Sequence, residues 1–409
     1  MNPVFCNRPF KKISNQIGEQ YFCCCYFRRN PKDNLETPAD TLPVDVFTGD
    51  VFTQMRRDML SGEKTEFLEN YCGGCHKREK ELGFSPRLYF QDFPSELAEL
   101  FGSDGKYKGG DHRHLELNLN IFGNYCNLQC YECIPTNSSG RVSVYEKLDE
   151  KWSKIPGGPT KVDKKTLAVE SDIKKVDPDW YAKILENVFD YAHNIETVSF
   201  SGGEPALMKS HFDILDGLIL SGQSKEINLQ YTSNMTVMSL AVLKKYIDNF
   251  KSTTIFWSID GLDKQNSWLR YPTNWETMMV NVKEVRKYLE KHGLGRIHAT
   301  MTPSLFGMMD FYKFCRWLFL GRFIPDLVNI NIANEINDGS ILHPRHLPND
   351  LKEQISDSIL KLSPPLYKSM WKERDEEKFQ LALQYATELD SNRGTNWKEV
   401  FPALVPYIK

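Results

Sequence analysis

From Leu115 onward, short apolar runs alternate with stretches whose apolar residues recur at helical spacing. The runs predict strands over Leu115–Asn120, Thr197–Ser201, Ile227–Asn234, Thr253–Asp260, Arg296–Pro303 and Leu327–Glu335. Between them, Trp180, Ile184, Leu185, Val188 and Phe189 fall on one face of a predicted helix. Asp177 suits its N-cap and Pro178 its first position. A second predicted helix runs from Trp275 to about Lys291 and ends near Gly293.

Strands separated by helices imply a parallel sheet, because each crossover returns the chain to the same edge. The pattern alone leaves open a doubly wound sheet or an incomplete barrel. In either, functional residues gather at the C-terminal ends of the strands. Residues 1–110 hold six cysteines, many turn residues and little clear periodicity. Residues from about 345 onward read as helical, over Asp350–Leu362 and Glu373–Leu389. The polar, lysine-bearing interval from Ile134 to Val176 reads as a solvated loop or as a lid.

Composition narrows the function classes. The 409 residues are 41% hydrophobic and 12% aromatic, which excludes disorder of the whole chain. A net charge of −3 lacks the basic excess of a general nucleic-acid binder. The apolar stretch around Phe314 to Phe323 is interrupted by Arg316 and Arg322 and is too short to span a bilayer. The first residues show no secretory signal, so a cytoplasmic protein without a membrane partner is expected.

Nine of the ten cysteines precede residue 134. A long chain without a signal sequence points them to metal or cluster ligation rather than to disulfides. Cys126, Cys130 and Cys133 follow the first predicted strand with the spacing Cys-x3-Cys-x2-Cys. Three thiolates on one loop can hold three corners of a 4Fe–4S cubane and leave one iron open. A structural zinc site wants four ligands, and this loop offers no fourth Cys or His. Ordinary thiols are the bland alternative.

One unit further on, Ser201-Gly202-Gly203-Glu204-Pro205 follows the second strand. With the cysteine loop, it resembles the radical S-adenosylmethionine (radical SAM) superfamily, whose fold is a partial (βα)6 barrel. The resemblance implies an α/β chain with three parts: a cysteine-rich module over 1–110, the barrel over 111–340, and a helical extension over 341–409. It implies SAM contacts from Gly202, Gly203, Glu204 and Pro205, with Glu204 and exposed carbonyls accepting from the methionyl ammonium. Thr232-Ser233-Asn234 and Ser258-Ile259-Asp260-Gly261 resemble strand ends that contact SAM, which adds Asn234, Ser258 and Asp260; a plain Asp-Gly turn is the bland reading. Arg270 matches a recurring position and reads as structural or functional. The family often places an aromatic residue before the third cysteine; here that position is Glu132, and the aromatic is Tyr131.

Cys6, Gly18-x4-Cys23 and Cys72-Gly73-Gly74-Cys75 resemble the auxiliary-cluster module of SPASM and twitch enzymes, placed before the barrel instead of after it. Phe10 and Gly18 fit its hairpin. Cys6, Cys23, Cys72 and Cys75 then hold a second, closed 4Fe–4S cluster, with Cys24 in reserve because Cys23, Cys24 and Cys25 are consecutive. Zinc on the same thiols is the rival. His76 reads as a surface residue and Cys315 as a buried apolar one.

The implied reaction is reductive cleavage of SAM to methionine and a 5′-deoxyadenosyl radical that abstracts hydrogen from a substrate. A peptide is preferred over a carbohydrate or nucleoside, and a flavodoxin or ferredoxin would supply the electron. The alternatives are an electron-transferring or redox-sensing iron–sulfur protein without SAM chemistry, and a zinc-stabilised interaction protein.

Overall fold

Alternation of buried and partly exposed positions shapes the central sheet of the computed structural model, which describes residues 3–16, 20–24, 42–119, 123–148, 152, 178–321, 323, 340–362 and 364–409. Its strands are β1 Lys12–Gln16, β2 Gln20–Phe22, β3 Leu115–Leu119 and β4 Ile195–Phe200. They continue with β5 Asn228–Ser233, β6 Ser252–Ser258 and β7 Gly295–Thr300. The order is β2-β1-β3-β4-β5-β6-β7; β2 is antiparallel to β1, and every other neighbouring pair is parallel.

From β3 to β7 the order in space follows the order in sequence. A doubly wound sheet reverses direction at a switch point, and none occurs here. Right-handed crossovers all stepping one way place their helices on one face. Side chains obey that division. Leu117, Val198, Leu229, Tyr231, Ile255, Trp257, Ile297 and Ala299 are buried. Asn118, Ser199, Gln230 and Thr254 pair in register across β3–β6, and Thr232, Phe256 and His298 across β5–β7. A polar face on a parallel sheet is unusual, because such sheets are normally covered by apolar packing on both sides.

The labelled helices are α1 Asp50–Ser61, α2 Glu66–Leu82, α3 Ser139–Lys147, α4 Pro178–Asp190 and α5 Ser210–Leu220. They continue with α6 Leu240–Asn249, α7 Trp275–His292, α8 Phe311–Leu320, α9 Asn349–Leu362 and α10 Glu376–Arg393. Gly293 closes α7 in the left-handed conformation that a helix terminus favours, at the predicted position. Asp177 and the predicted strand Leu327–Glu335 lie outside the described residues.

Two regions depart from the sequence reading. The first 110 residues are not structureless: β1 and β2 extend the sheet, and α1 and α2 pack beside it. The antiparallel β1–β2 pair has the hairpin direction expected there, although Gly18 lies outside the described residues. The polar interval after the cysteine loop opens as α3, and most of the rest, over 149–151 and 153–176, lies outside the described residues. Within it, Trp152 is buried and donates to Glu388 of α10 at 2.6 Å.

Candidate active site

The cysteine loop has little structure of its own, so surrounding segments set its shape. The amides of Gln129 and Tyr131 donate to the carbonyls of Tyr271 and Leu269 at 2.5 and 2.6 Å. Ser139 Oγ accepts from the Cys126 amide at 3.1 Å, and Ser138 Oγ donates to the Leu128 carbonyl at 2.8 Å. Arg141 Nε donates to the Cys133 carbonyl at 3.0 Å. Arg393, at the end of α10, donates to the Gln129 carbonyl.

Gly203 fits against this loop. Its amide donates to the Asn137 carbonyl at 2.9 Å, and the Glu204 amide donates to the Tyr125 carbonyl at 2.8 Å. Gly203 has φ +54°, and a Cβ there would lie 2.4 Å from the Tyr125 oxygen. The glycine is therefore required for backbone to meet backbone.

Cys126, Cys130 and Cys133 line one cavity of about 270 Å³ with Glu132, Gly202, Gly203, Asn234, Ser258 and Arg270 among its other walls. The cavity gathers five of the segments singled out in the sequence. Glu204, Pro205 and Asp260 are placed differently: all three are buried and none lines the cavity. Glu204 accepts from Ser233 Oγ at 2.7 Å and from the Asn234 amide at 2.9 Å, so it shapes the end of β5. Asp260 forms a buried ion pair with Arg270 at 2.6 Å and accepts from the Thr302 amide at 2.8 Å. Asn234 donates to Asn127 Oδ1 at 3.1 Å, which ties β5 to the cysteine loop.

Burial disfavours free thiolates in this cavity, and a nearby cation and amide donors offset part of that cost. Burial, then neighbouring Cys130, pushes the Cys126 thiol up to about 12. Burial also raises Cys130, and Arg270 opposes that rise, its Nη1 lying 3.9 Å from the sulfur. The Leu128 amide donates to Cys126 Sγ at 3.5 Å. Such donors stabilise cluster-bound thiolates, and all-sulfur donor sets select iron–sulfur clusters or zinc. These residues fit a cluster with an open iron. Among the described residues, no three His, Cys, Asp or Glu side chains converge tightly enough to chelate a single metal ion.

Glu132 occupies a position the sequence reading left without a role. Burial, then Asp260, pushes its carboxyl up to about 8, and its Oε1 accepts from Ser304 at 2.6 Å. Tyr131 does not substitute for the missing aromatic in the cavity. It packs inward, with ring centroids 5.1 Å from Trp268 and 5.2 Å from Phe306.

A second cavity, of about 790 Å³, lies over the polar sheet face and shares Thr232 with the first. It is lined by Ser14, Asn118, Ser199, Gln230 and Thr300, and also by Cys6, Cys23, Cys24, Cys72 and Cys75. The N-terminal thiols therefore face the same interior as the polar strands. Cys25 lies outside the described residues. His76 is not a surface residue: its side chain is 12% exposed and lies 3.4 Å from Glu69. Cys315 is half-buried, on α8. Among the described residues, no helix is long and apolar enough to cross a membrane.

Comparisons with known proteins find distant likenesses. Native anSMEcpe with bound AdoMet aligns with a TM-score of 0.35 and 14% identity, over 51% of this chain and 50% of that one. Streptococcus suis SuiB bound to S-adenosylmethionine gives 0.33 and 17%, over 76% and 64%. SuiB bound to precursor peptide SuiA gives 0.31 and 18%, over 76% and 63%. The chain thus spans half to less than two thirds of these proteins' length. No family model matches, and no curated protein matches.

Proposed function

We propose that the chain is a radical SAM enzyme, with residues 111–340 forming a partial (βα)6 barrel between an N-terminal auxiliary-cluster module, residues 1–110, and a helical extension, residues 341–409. One observation carries the reading: Cys126, Cys130 and Cys133 share a single cavity with Gly202, Gly203, Asn234 and Ser258 at the C-terminal ends of the strands. Three thiols from one loop leave room for a chelating cofactor at a fourth iron.

Cys126, Cys130 and Cys133 would hold a 4Fe–4S cluster, which would supply the electron for reductive cleavage of SAM. The chain's own residues bind, orient and shield. Gly202 and Gly203 keep one wall free of side chains, and Asn234 and Ser258 offer polar groups at the strand ends. Glu204 and Asp260 act behind them by fixing Ser233, Asn234 and Arg270. Arg270 places a fixed cation beside Cys130.

The substrate belongs in the larger cavity, where Asn118 and Gln230 present carboxamides. A peptide is the preferred substrate, and such groups can pair with its backbone N–H and C=O as they can with the hydroxyls of a carbohydrate or nucleoside. A flavodoxin- or ferredoxin-type protein would deliver the electron in the cytoplasm.

The decisive experiment measures 5′-deoxyadenosine released from SAM by the anaerobically reconstituted, dithionite-reduced protein, beside Cys126→Ala. Release by the wild type and none by the variant is expected. No release by a wild type with confirmed clusters, in the presence of candidate peptides, favours an electron carrier and overturns the proposal.

A further inference from the structure

Two buried arginines hold the cysteine loop from behind, and their charges have no use in its packing alone. Arg141 is 1% exposed and Arg393 is 8% exposed. Arg141 Nε donates to the Cys133 carbonyl at 3.0 Å, and its Nη2 donates to the Tyr385 hydroxyl. Arg393 donates to the Gln129 carbonyl, directly before Cys130, and to the Trp268 carbonyl at 3.4 Å. Each guanidinium is thus fixed at a peptide that carries or adjoins a cysteine of the loop. Arg141 Nη1 and Arg393 Nε have no hydrogen-bond partner.

The surroundings offer these cations little negative charge. Among the described residues, neither pairs with a carboxylate, whereas Arg270 is matched by Asp260 at 2.6 Å. Asp390, one turn before Arg393, accepts from Trp268 Nε1 at 2.7 Å and also from Thr395 and the Trp397 amide. The remaining neighbours are aromatic: Arg141 lies 5.1 Å from the Tyr145 ring centroid and Arg393 5.3 Å from that of Tyr271. Burial and then the Arg141 charge pull the Arg393 guanidinium down to about 10, so the two cations feel each other.

A guanidinium buried without a counterion is costly, and negative charge beside it relieves that cost. A 4Fe–4S cluster on three thiolates is an anion, and one-electron reduction adds a further negative charge. We propose that Arg141, aided by Arg393, is the counter-charge of the cysteine loop and raises the reduction potential of a cluster held by Cys126, Cys130 and Cys133. This rests on the radical SAM reading and adds how the chain eases the reduction on which that reading depends. Both arginines reach the loop through its carbonyls, so they are positioning residues that act through the cluster.

The test uses the full chain with Cys6, Cys72 and Cys75 replaced by Ala, so that iron loads at the loop alone. After anaerobic reconstitution with ferrous iron and sulfide, the potential is read by reductive titration followed by electron paramagnetic resonance. Arg141→Gln removes the charge and keeps a donor for the Cys133 carbonyl; Arg141→Lys keeps the charge. Arg141→Gln should lower the equilibrium constant for reduction at least tenfold, about 59 mV for one electron, and Arg141→Lys should stay within about threefold of the parent. Arg393→Gln should move the same way, and it supplies the reading if Arg141→Gln does not retain iron. An unchanged potential in iron-loaded Arg141→Gln, or an equal fall in Arg141→Lys, leaves a structural role only and overturns the proposal. Absence of iron from the folded parent overturns the cluster reading itself, an outcome distinct from an unchanged potential. Near-ultraviolet circular dichroism establishes folding, and no step of the measurement needs SAM cleavage.

Discussion

Cys126, Cys130 and Cys133 lie within one short loop, whereas the N-terminal thiols come from a turn, the end of a strand and the middle of a helix. The loop thiols are close in sequence but hold no geometry by themselves. Their arrangement is imposed by hydrogen bonds with Leu269, Tyr271, Ser138, Ser139 and Arg393. In the N-terminal group, the helix fixes Cys72 against Cys75, and tertiary packing brings the other thiols to them. One site is local in sequence and borrows its rigidity; the other is rigid in part and borrows its locality. Perturbations should therefore separate the two.

The largest separation is expected from Asp260→Ala. It leaves Arg270 buried without its partner, which costs on the order of 3–5 kcal/mol and disturbs the cation beside Cys130. Chemical denaturation should show that loss. Iron bound at the loop should fall, while iron at the N-terminal thiols should be retained in molecules that fold. Equal loss at both sites would break the comparison.

Gly203→Ala comes next. A Cβ 2.4 Å from the Tyr125 oxygen, on a residue at φ +54°, forces the two loops apart at a cost of roughly 1–3 kcal/mol. The expected result is weakened SAM binding, measured by calorimetry on the reconstituted protein, with the N-terminal iron content unchanged.

A pH effect follows from Glu132. Its carboxyl is raised from 4.5 to about 8, so the folded state holds a proton that the unfolded state releases. Stability of the apo protein should fall as pH rises from 4.5 to 8, by at most about 1.4 kcal/mol per pH unit from this group. Glu132→Gln should flatten that slope in urea denaturation across the window. Glu204, raised by burial to about 7, would leave a residual slope of the same sign. An unchanged slope in Glu132→Gln would show that the carboxyl is ionised in the fold.

The smallest effect is expected at Thr65, the N-cap of α2, whose Oγ1 accepts from the Leu68 amide at 3.2 Å. Thr65→Ala should cost about 1 kcal/mol. It should also slow iron loading at Cys72 and Cys75 without altering the loop site, which time-resolved absorbance of each single-site protein can follow.

Legibility in the sequence tracks the same division. Short apolar runs between helical stretches revealed β3 to β7 to within a few positions. The three-cysteine loop and Gly202-Gly203 were visible as spacing alone. The helix α2 was hidden because Gly73-Gly74 reads as a turn and its buried stripe includes cysteines in place of aliphatic residues. The role of Asp260 was hidden because Asp-Gly suggests an exposed turn, while its ionic partner is ten residues away. Trp152 gave no periodic signal, since its partner Glu388 lies on α10. What long-range packing decides, local pattern cannot show.

The bond from Arg393 to the Gln129 carbonyl has a consequence for the order of biogenesis. During synthesis, the cysteine loop leaves the ribosome more than two hundred residues ahead of the arginine that clamps it. Throughout that interval the loop lacks its final brace. A cofactor delivered to the proposed cluster loop before Arg393 is made would therefore meet it without that brace, and one delivered afterwards would meet it clamped.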